Sequence, residues 1–550
     1  MLVAIFSLLL AENNEFRVYD DDSVQILLEP MISIKRPIPL SIFSNSQNNY
    51  NGVSSLAENM LGYDNTAQKI MSKFKINKEC EILIDLPLNK TDQADFRALV
   101  ANNYSYRFSI NGRSQRTHFS ASSLFGQADS INNHVIIRIF YTNIVSNFSR
   151  IVGITANSQS DSKCGSQNGT SGGNRSLLVT YSVEFIEKAI VSKNIMLNDS
   201  SILIILCVNI VLVFWMLSII AKRVQLSSSS IYMDSNWYLL RGDIFRPPRN
   251  ILVLCSFVSF GVQTLVSLIL VTLVPYSTVF SFLNFLLIVF PICGFAGGSF
   301  SLWLFRTIGG LEWRLLLIYT ISISPLILIG LYILCSIIYI ASDSSAALSF
   351  SNIVKLVVLC VVHFISSVLG VYVSIKVPMS QPPYRTHLIG RRISNQPFFL
   401  DHGVLYTISG IIVYLQVRQP MRELAKCILN DSEFFINHRS SLFFLLQLFF
   451  SSSFVSLTIS YIMIENQNHK WWNNAFSAPA TSAIFFFVDT LYFIIKYVHP
   501  TDFSGLIIYG SISAIIGSLM YVFCGVSGWL STFTVLWKSY KSINKNENQE

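Results

Sequence analysis

From Ser201 onward the chain is a succession of apolar runs long enough to cross a hydrocarbon core, and that repetition decides its solvent. The runs are roughly Ile202 to Ala221, Ile251 to Val274, Val279 to Leu304, Leu315 to Ile340 and Ile353 to Ser374. A shorter one at Val404 to Val417 follows, then Leu442 to Ile464, Ala478 to Val498 and Gly505 to Trp537. A helix of about 20 apolar residues spans a core of ~30 Å with its backbone hydrogen bonds satisfied internally. The expected fold is therefore a multi-pass α-helical membrane protein with about nine transmembrane helices. Composition agrees, since 51% of the 550 residues are hydrophobic, only 13% are charged and Phe occurs 41 times. Such a chain needs lipid as part of its surroundings.

The first 200 residues obey a different rule. They are polar and rich in Asn and Ser, and their apolar residues alternate. Val179, Tyr181, Val183 and Phe185 alternate with Thr180, Ser182 and Glu184, and Tyr106, Phe108 and Ile110 run into Asn111-Gly112, so both read as half-buried strands. With His134 to Tyr141 as another β-rich run, an N-terminal β-sandwich-like domain is expected, with a helix at Thr91 to Val100 and a flexible loop at Gly165 to Asn174. Met1 to Ala11 is apolar and reads as a short signal peptide without its usual basic start, or as a chain start that has been truncated. The domain boundaries that follow are 1–11 for that segment, 12–200 for the β-rich domain, 201–537 for the nine helices and 538–550 for a tail.

Glycosylation sequons and charge give the orientation. Asn89, Asn103, Asn147, Asn168, Asn174 and Asn198 stand in N-x-S/T sequons within the polar region, and after it only Asn430 does. Their concentration in one region fits a lumen-facing domain. Nine crossings then put the C-terminus in the cytosol. The segments so assigned to the cytosol hold 15 Lys or Arg, and the luminal connections hold 4, namely Arg418, Arg422, Lys426 and Arg439, all in the loop that also carries Asn430. That is the positive-inside pattern, so the net charge of +8 reports topology rather than nucleic-acid binding. An oxidising lumen permits a disulfide between Cys80 and Cys164, the two cysteines of the polar region, and the sequence leaves open whether they pair. The other seven lie in or beside the membrane region as small packing residues, and no CxxC pair suggests a metal.

No P-loop, GxSxG elbow, HExxH or paired-aspartate signature is present, so no enzyme, cofactor or metal site is indicated. Arg241-Gly242-Asp243 is the adhesive tripeptide that integrins read, but the topology places it between helices one and two on the cytosolic side. Asp489 lies mid-way along helix eight, where an unpaired charge costs roughly 2.5 to 3.5 kcal/mol, so it must face protein or water. Lys496, seven residues on, shares its side of the helix, and His363 in helix five is another candidate partner. The three read either as a polar path or recognition site, or as hydrogen-bond glue between helices. Gly294 and Gly298 form a GxxxG step in helix three, and Gly510, Ala514, Gly517, Gly525 and Gly528 mark small faces along helix nine. Such faces pack helices of the same chain, or form open seams for another protein's helix.

Leu240 to Arg249 contains Gly242-Asp243-Ile244-Phe245-Arg246-Pro247-Pro248-Arg249, which resembles the signature of the nonaspanins, the transmembrane nine superfamily. Further resemblances follow in family order. They are Gly294 to Gly298 running on through Phe305-Arg306-Thr307-Ile308-Gly309-Gly310-Leu311-Glu312-Trp313, Pro382-Pro383-Tyr384-Arg385-Thr386 with Arg391 and Arg392, His469-Lys470-Trp471-Trp472, and Tyr540 to Ile543. In the polar region Leu56-Ala57-Glu58, Lys78-Glu79-Cys80-Glu81, His134 to Tyr141 and Thr180 to Val183 resemble family strands. The chain departs from the family at its end, Gln549-Glu550, where a terminal Lys-x-acid signal read by the COPI coat is usual. Lys545-Asn546-Glu547 carries that pattern internally.

The resemblance implies Golgi and endosomal membranes and a part in sorting or retaining other membrane proteins, especially those with glycine-rich transmembrane segments. The expected partners are membrane lipid, client membrane proteins met through transmembrane helices, and a COPI-type coat at the tail, with no nucleic acid. The competing class is a small-molecule or ion transporter or channel in which Asp489, His363 and Lys496 line a polar intramembrane path.

Overall fold

The structure is a computed structural model. It describes residues 17–19, 23–33, 35, 49–51, 66–87, 99–111, 118–127, 130–145, 148–159, 164, 176–187, 199–227, 235–273, 279–341, 350–387, 390–393, 395–430, 438–500 and 502–547.

Two five-stranded sheets form the N-terminal domain. One has the order β1 (Arg17–Tyr19), β11 (Phe148–Gln159), β10 (His134–Val145), β12 (Ser176–Glu187) and β5 (Lys78–Pro87). The other runs β3 (Asn49–Asn51), β4 (Thr66–Lys73), β2 (Ser23–Ile32), β6 (Ser105–Asn111) and β7 (His118–Leu124). A two-stranded ribbon, β8 (Gly126–Gln127) with β9 (Ser130–Ile131), follows β7. Period-two alternation explains which faces meet. Val24, Ile26 and Leu28 of β2, Tyr106, Phe108 and Ile110 of β6, Val135, Ile137 and Ile139 of β10, and Val179, Tyr181 and Val183 of β12 all enter one core. Most pairings are antiparallel, but β10 and β12 run parallel, with Val135 opposite Tyr181 and Ile139 opposite Phe185.

Nine long helical segments follow among the described residues, in chain order α1 (Asp199–Ser227), α2 (Ile251–Thr272), α3 in two pieces (Val279–Ile292 and Gly294–Thr307), α4 (Trp313–Ala341), α5 (Phe350–Lys376), α6 (His402–Asn430), α7 (His438–Glu465), α8 (Trp471–Ala480, Ser482–Phe493 and a π-helical turn Ile494–Val498) and α9 (Phe503–Glu547). Eight of them are long and apolar enough to cross a membrane. The ninth, α6, has the length at 29 residues, but Gln416, Arg418, Gln419 and Arg422 make its second half polar.

Several helix ends differ from the sequence reading, among them the start of α8 at Trp471 rather than Ala478 and the end of α1 at Ser227 rather than Ala221, and two further ones bear on the site. Hydropathy ends helix six at Val417 and puts Arg418, Arg422, Lys426 and Asn430 in a loop, whereas α6 continues to Asn430. Hydropathy also ends helix nine at Trp537 and frees a tail from 538, whereas α9 continues to Glu547. The second extension has a clear cause. Phe533, Leu536, Tyr540 and Ile543 recur at helical spacing and are all buried, so the apolar stripe outlasts the apolar run.

Of the sequons, Asn103 lies on an exposed turn with φ of +53° and Asn430 is the last residue of α6. Asn89, Asn147, Asn168, Asn174 and Asn198 lie outside the described residues, as do the 1–11 segment and most of the Gly165 to Asn174 loop and the Thr91 to Val100 helix. Cys80 and Cys164 are disulfide-bonded, with Cα atoms 5.3 Å apart, tying β5 to the connection between β11 and β12.

Candidate functional site

The motif segments, scattered over 300 residues of sequence, meet at one end of the bundle. After α1 the chain makes a single helical turn, Asn236–Leu239, capped by Ser235, and then a tight turn through Leu240 to Phe245. Pro247 and Pro248 then keep the chain non-helical until α2 starts at Ile251. Asp243 is only 3% exposed, and its Oδ1 accepts from Arg246 Nε at 3.0 Å and Nη2 at 2.7 Å. The same Nη2 donates to His387 O at 2.7 Å, and His387 N donates to Gly242 O at 3.0 Å, which laces this turn to the α5–α6 connection. A Cβ on Gly242 would fall 2.0 Å from the His387 ring, so glycine lets the ring lie on the turn. With Asp243 buried and Gly242 covered, the Arg241-Gly242-Asp243 tripeptide is not displayed for an adhesion receptor.

The aromatic motifs close the same knot. Trp471 Nε1 donates to Ile244 O at 2.8 Å, and the Trp471 ring stacks on Trp472 at 4.2 Å. Phe245 packs edge-on against Trp537 and Tyr540, and the Tyr540 hydroxyl donates to Trp237 O at 3.1 Å. Trp237 Nε1 and Asn236 Nδ2 donate to Glu465 Oε1 and O, at 3.2 and 2.7 Å. Arg306, at the end of α3, donates to the terminal carbonyls of α5 at Ser374, Ile375 and Val377, and Gly309 supplies the positive φ that ends α3. Asn544 Nδ2 reaches Pro383 O at 2.8 Å, so the end of α9 is docked too. The signature and the motif residues beside it splice the ends of α1, α2, α5, α7, α8 and α9.

Burial holds the His469 imidazole in this knot below the usual histidine range, while Asp243 pulls the other way. The unfolded chain therefore takes up a proton at about pH 6.5 that the folded chain resists, so this contribution to stability is complete above that pH and is lost as pH falls through it. Thermal unfolding of the full chain is expected to be level from about pH 8 to 7 and to fall toward about pH 5. His469→Gln should flatten that slope.

The three intramembrane polar residues lie in three separate places. His363 of α5 belongs to a node around the break in α3. Pro291 interrupts α3 there, and the carbonyls beside the break accept from neighbouring helices: Phe290 O from Gln263 Nε2 at 2.9 Å, and Pro291 O from the Ser366 hydroxyl. Gln263 Nε2 also lies 3.3 Å from His363 Nδ1, and the far ring nitrogen lies 3.1 Å from Ser324 Oγ. Asp489 of α8 is held instead by α6. Arg422 grips it with Nε at 2.9 Å and Nη2 at 2.7 Å, and Arg418 Nη2 stands at 3.7 Å. Lys496 is exposed and donates to Tyr492 OH at 3.0 Å with Tyr497 beside it, so it is not the partner of Asp489. Among the described residues the three do not meet, because α5 packs on α3 and α4 whereas α8 packs on α6, α7 and α9. The sequence missed Arg422 because it read that residue as loop. The signal for it was Tyr414, Arg418 and Arg422 at i, i+4 and i+8.

The small-residue faces divide. Gly294 and Gly298 are closed by α5, since a Cβ on Gly298 would meet Ser367 O at 2.6 Å. Gly525 and Gly528 of α9 are closed by Phe476, Pro479 and Ser456. Gly510 has room, with Leu491 Cδ2 at 3.9 Å as its nearest neighbour, Gly517 makes only ordinary contacts, and Ala514 between them is half-buried. Among the described residues no group of His, Cys, Asp and Glu is placed to hold a metal ion.

A broken third helix, a knot of motif residues at one end and a β-rich domain ahead of the bundle are the setting for the comparison with known proteins. The model of a family described as Endomembrane protein 70 matches residues 40–503. The chain belongs to the endomembrane protein 70 family, the nonaspanins or transmembrane 9 superfamily. Transmembrane 9 superfamily member 10 of Arabidopsis thaliana is 24% identical over 324 residues, 56% of this chain and 50% of that protein. Transmembrane 9 superfamily member 4 of Homo sapiens is 23% identical over 319 residues, 56% and 49%. A transmembrane 9 superfamily protein of Schizosaccharomyces pombe is 23% identical over 318 residues, 56% and 50%. The chain spans about half the length of the curated relatives it matches. No solved structure gives a significant match. The protein is thus a multi-pass membrane protein of an endomembrane family.

Proposed function

We propose that this nonaspanin is a non-enzymatic sorting or chaperone-like factor of Golgi and endosomal membranes, which engages client membrane proteins through their transmembrane helices. The observation that carries this reading is the contrast along α9. Its second half is packed tightly through Gly525, Gly528 and Tyr540, whereas in its first half the nearest atoms to a Cβ on Gly510 or Gly517 all belong to α8 and lie at 3.8 Å or beyond, a loosely packed seam at which a client helix is taken to enter. Small residues let helix backbones approach closely, and the gain in lipid comes from packing and interhelical hydrogen bonds rather than from the hydrophobic effect. A client segment rich in glycine would offer the complementary small face. The β-rich domain is taken to face the lumen and the knot the cytosol, which follows the asymmetry of basic residues.

Gly510→Leu and Ala514→Leu fill that seam, where a Cβ at position 510 meets nothing closer than the Leu491 side chain at 3.9 Å. Each is expected to leave the fold intact, to reduce recovery of glycine-rich membrane proteins with the full chain from mild detergent several-fold, and to mislocalise them. Unchanged recovery and unchanged client location in both variants, with normal expression, would remove the α9 face from the reading.

A further inference from the structure

The half of the bundle away from the knot, near its middle, contains a layer of buried polar atoms that no described protein atom satisfies. Asn209 of α1 is 1% exposed, and Gln447 and Ser451 of α7 are 0% exposed. Asn209 Nδ2, Gln447 Oε1, Ser451 Oγ and Gln416 Oε1 of α6 are all buried without a hydrogen-bond partner.

Helix register brings these atoms to one level. The chain passes α1 and α7 in the same direction, and Arg223 of α1 meets Tyr461 OH at 3.3 Å and Glu465 Oε1 at 3.4 Å. Asn209 precedes Arg223 by the same 14 residues that separate Gln447 from Tyr461 and Ser451 from Glu465. Fourteen residues are about four helical turns, so Asn209 lies at the height of Gln447 and Ser451 and on the facing side. Gln447 Nε2 donates to Gln416 O at 2.7 Å, which adds α6 to the layer. Arg418 and Arg422, with Asp489 between them, follow Gln416 along α6 by about half a turn and about one and two-thirds turns.

An amide donor, two amide acceptors and a hydroxyl are the set that ordered water completes, since a buried water makes about three hydrogen bonds to otherwise unpaired groups. The leftover donor argues against a metal cation in the same space. We propose that Asn209, Gln416, Gln447 and Ser451 form an internal hydration site between α1, α6 and α7, a recess of ordered water reached from the end that holds the Arg422–Asp489 pair. Water there also raises the local dielectric, which lets one carboxylate and two guanidinium groups remain charged within a lipid-embedded bundle.

The test uses the full chain in lipid nanodiscs. Ser451→Cys and Ser452→Cys are isosteric neighbours on α7, and the Ser452 hydroxyl is already taken by Leu448 O and Ser527. Under pulsed X-ray radiolysis, in which water beside a thiol generates the oxidising radical, the cysteine at 451 is expected to oxidise several-fold faster than the one at 452. Equal rates overturn the proposal. Thermal unfolding gives a second reading: Asn209→Leu displaces the water, strands its other partners and lowers Tm by a few degrees. A raised or unchanged Tm for Asn209→Leu also overturns it, because in a dry site the substitution only removes an unpaired amide.

Discussion

Gly370→Leu is expected to be among the most damaging single substitutions in the membrane domain, lowering its stability by about 3 kcal/mol. The reason is reciprocal packing between α3 and α5. A Cβ on Gly370 would lie 2.2 Å from Phe295 O, and one on Gly298 would lie 2.6 Å from Ser367 O, so each helix presses a backbone carbonyl onto the other's glycine. Backbone cannot swing aside as a side-chain tip can. Relief requires the two helices to separate, and separation also pulls His363 from Gln263 and Ser366 from the Pro291 carbonyl. Gly330→Leu on α4 is the control, because nothing lies within 4 Å of its Cβ position. Size-exclusion thermostability of the detergent-solubilised chain should show Gly370→Leu melting far below the parent and Gly330→Leu beside it. A Gly370→Leu protein as stable as the parent would mean that α3 and α5 do not touch at this step.

Regular periodicity was legible and partnership was not. The alternation in β6, β10 and β12 marks those strands and their inward faces, yet a period of two is the same in parallel and antiparallel ladders, so nothing in it reveals that β10 and β12 run parallel. Gly294 and Gly298 are visible as a GxxxG step, but whether such a step is closed or open depends on what faces it, here Ser366 and Ser367. The His363 node was half visible. An ionisable residue in an apolar run stands out, whereas Gln263 and Ser324 are uncharged and matter only through what they meet, the Phe290 carbonyl left by the break in α3 for Gln263 and the His363 ring for Ser324. Helix ends were misplaced wherever polar residues continue a helix. Arg418 and Arg422 end an apolar run but not α6, because Asp489 on α8 meets their charge. The signature around Gly242 to Pro248 was the clearest motif in the chain, and its role was hidden because its partners, His387, Trp471 and Tyr540, are dispersed along the sequence.

The Asp489–Arg422 pair should show an asymmetry that simple charge counting does not predict. Asp489→Ala leaves two guanidinium groups, 45% and 36% exposed, with no counter-charge and is expected to cost about 1 to 2 kcal/mol, less than a fully buried pair because solvent screens them. Arg422→Met should cost less, because Arg418 already stands 3.7 Å from the same carboxylate and can close on it. The double variant Asp489→Ala/Arg422→Met should recover most of the loss, since apolar residues of similar volume replace a partly buried ion pair at little cost and Arg418, nearly half exposed, can reach toward water. Equilibrium unfolding of the four proteins in one detergent gives the coupling energy as the departure from additivity. Coupling that favours the intact pair, with Asp489→Ala the worse single, is the expected result. Additive losses would show that α6 and α8 are not joined through these side chains, and the polar second half of α6 would then need another reason to continue as helix past Val417.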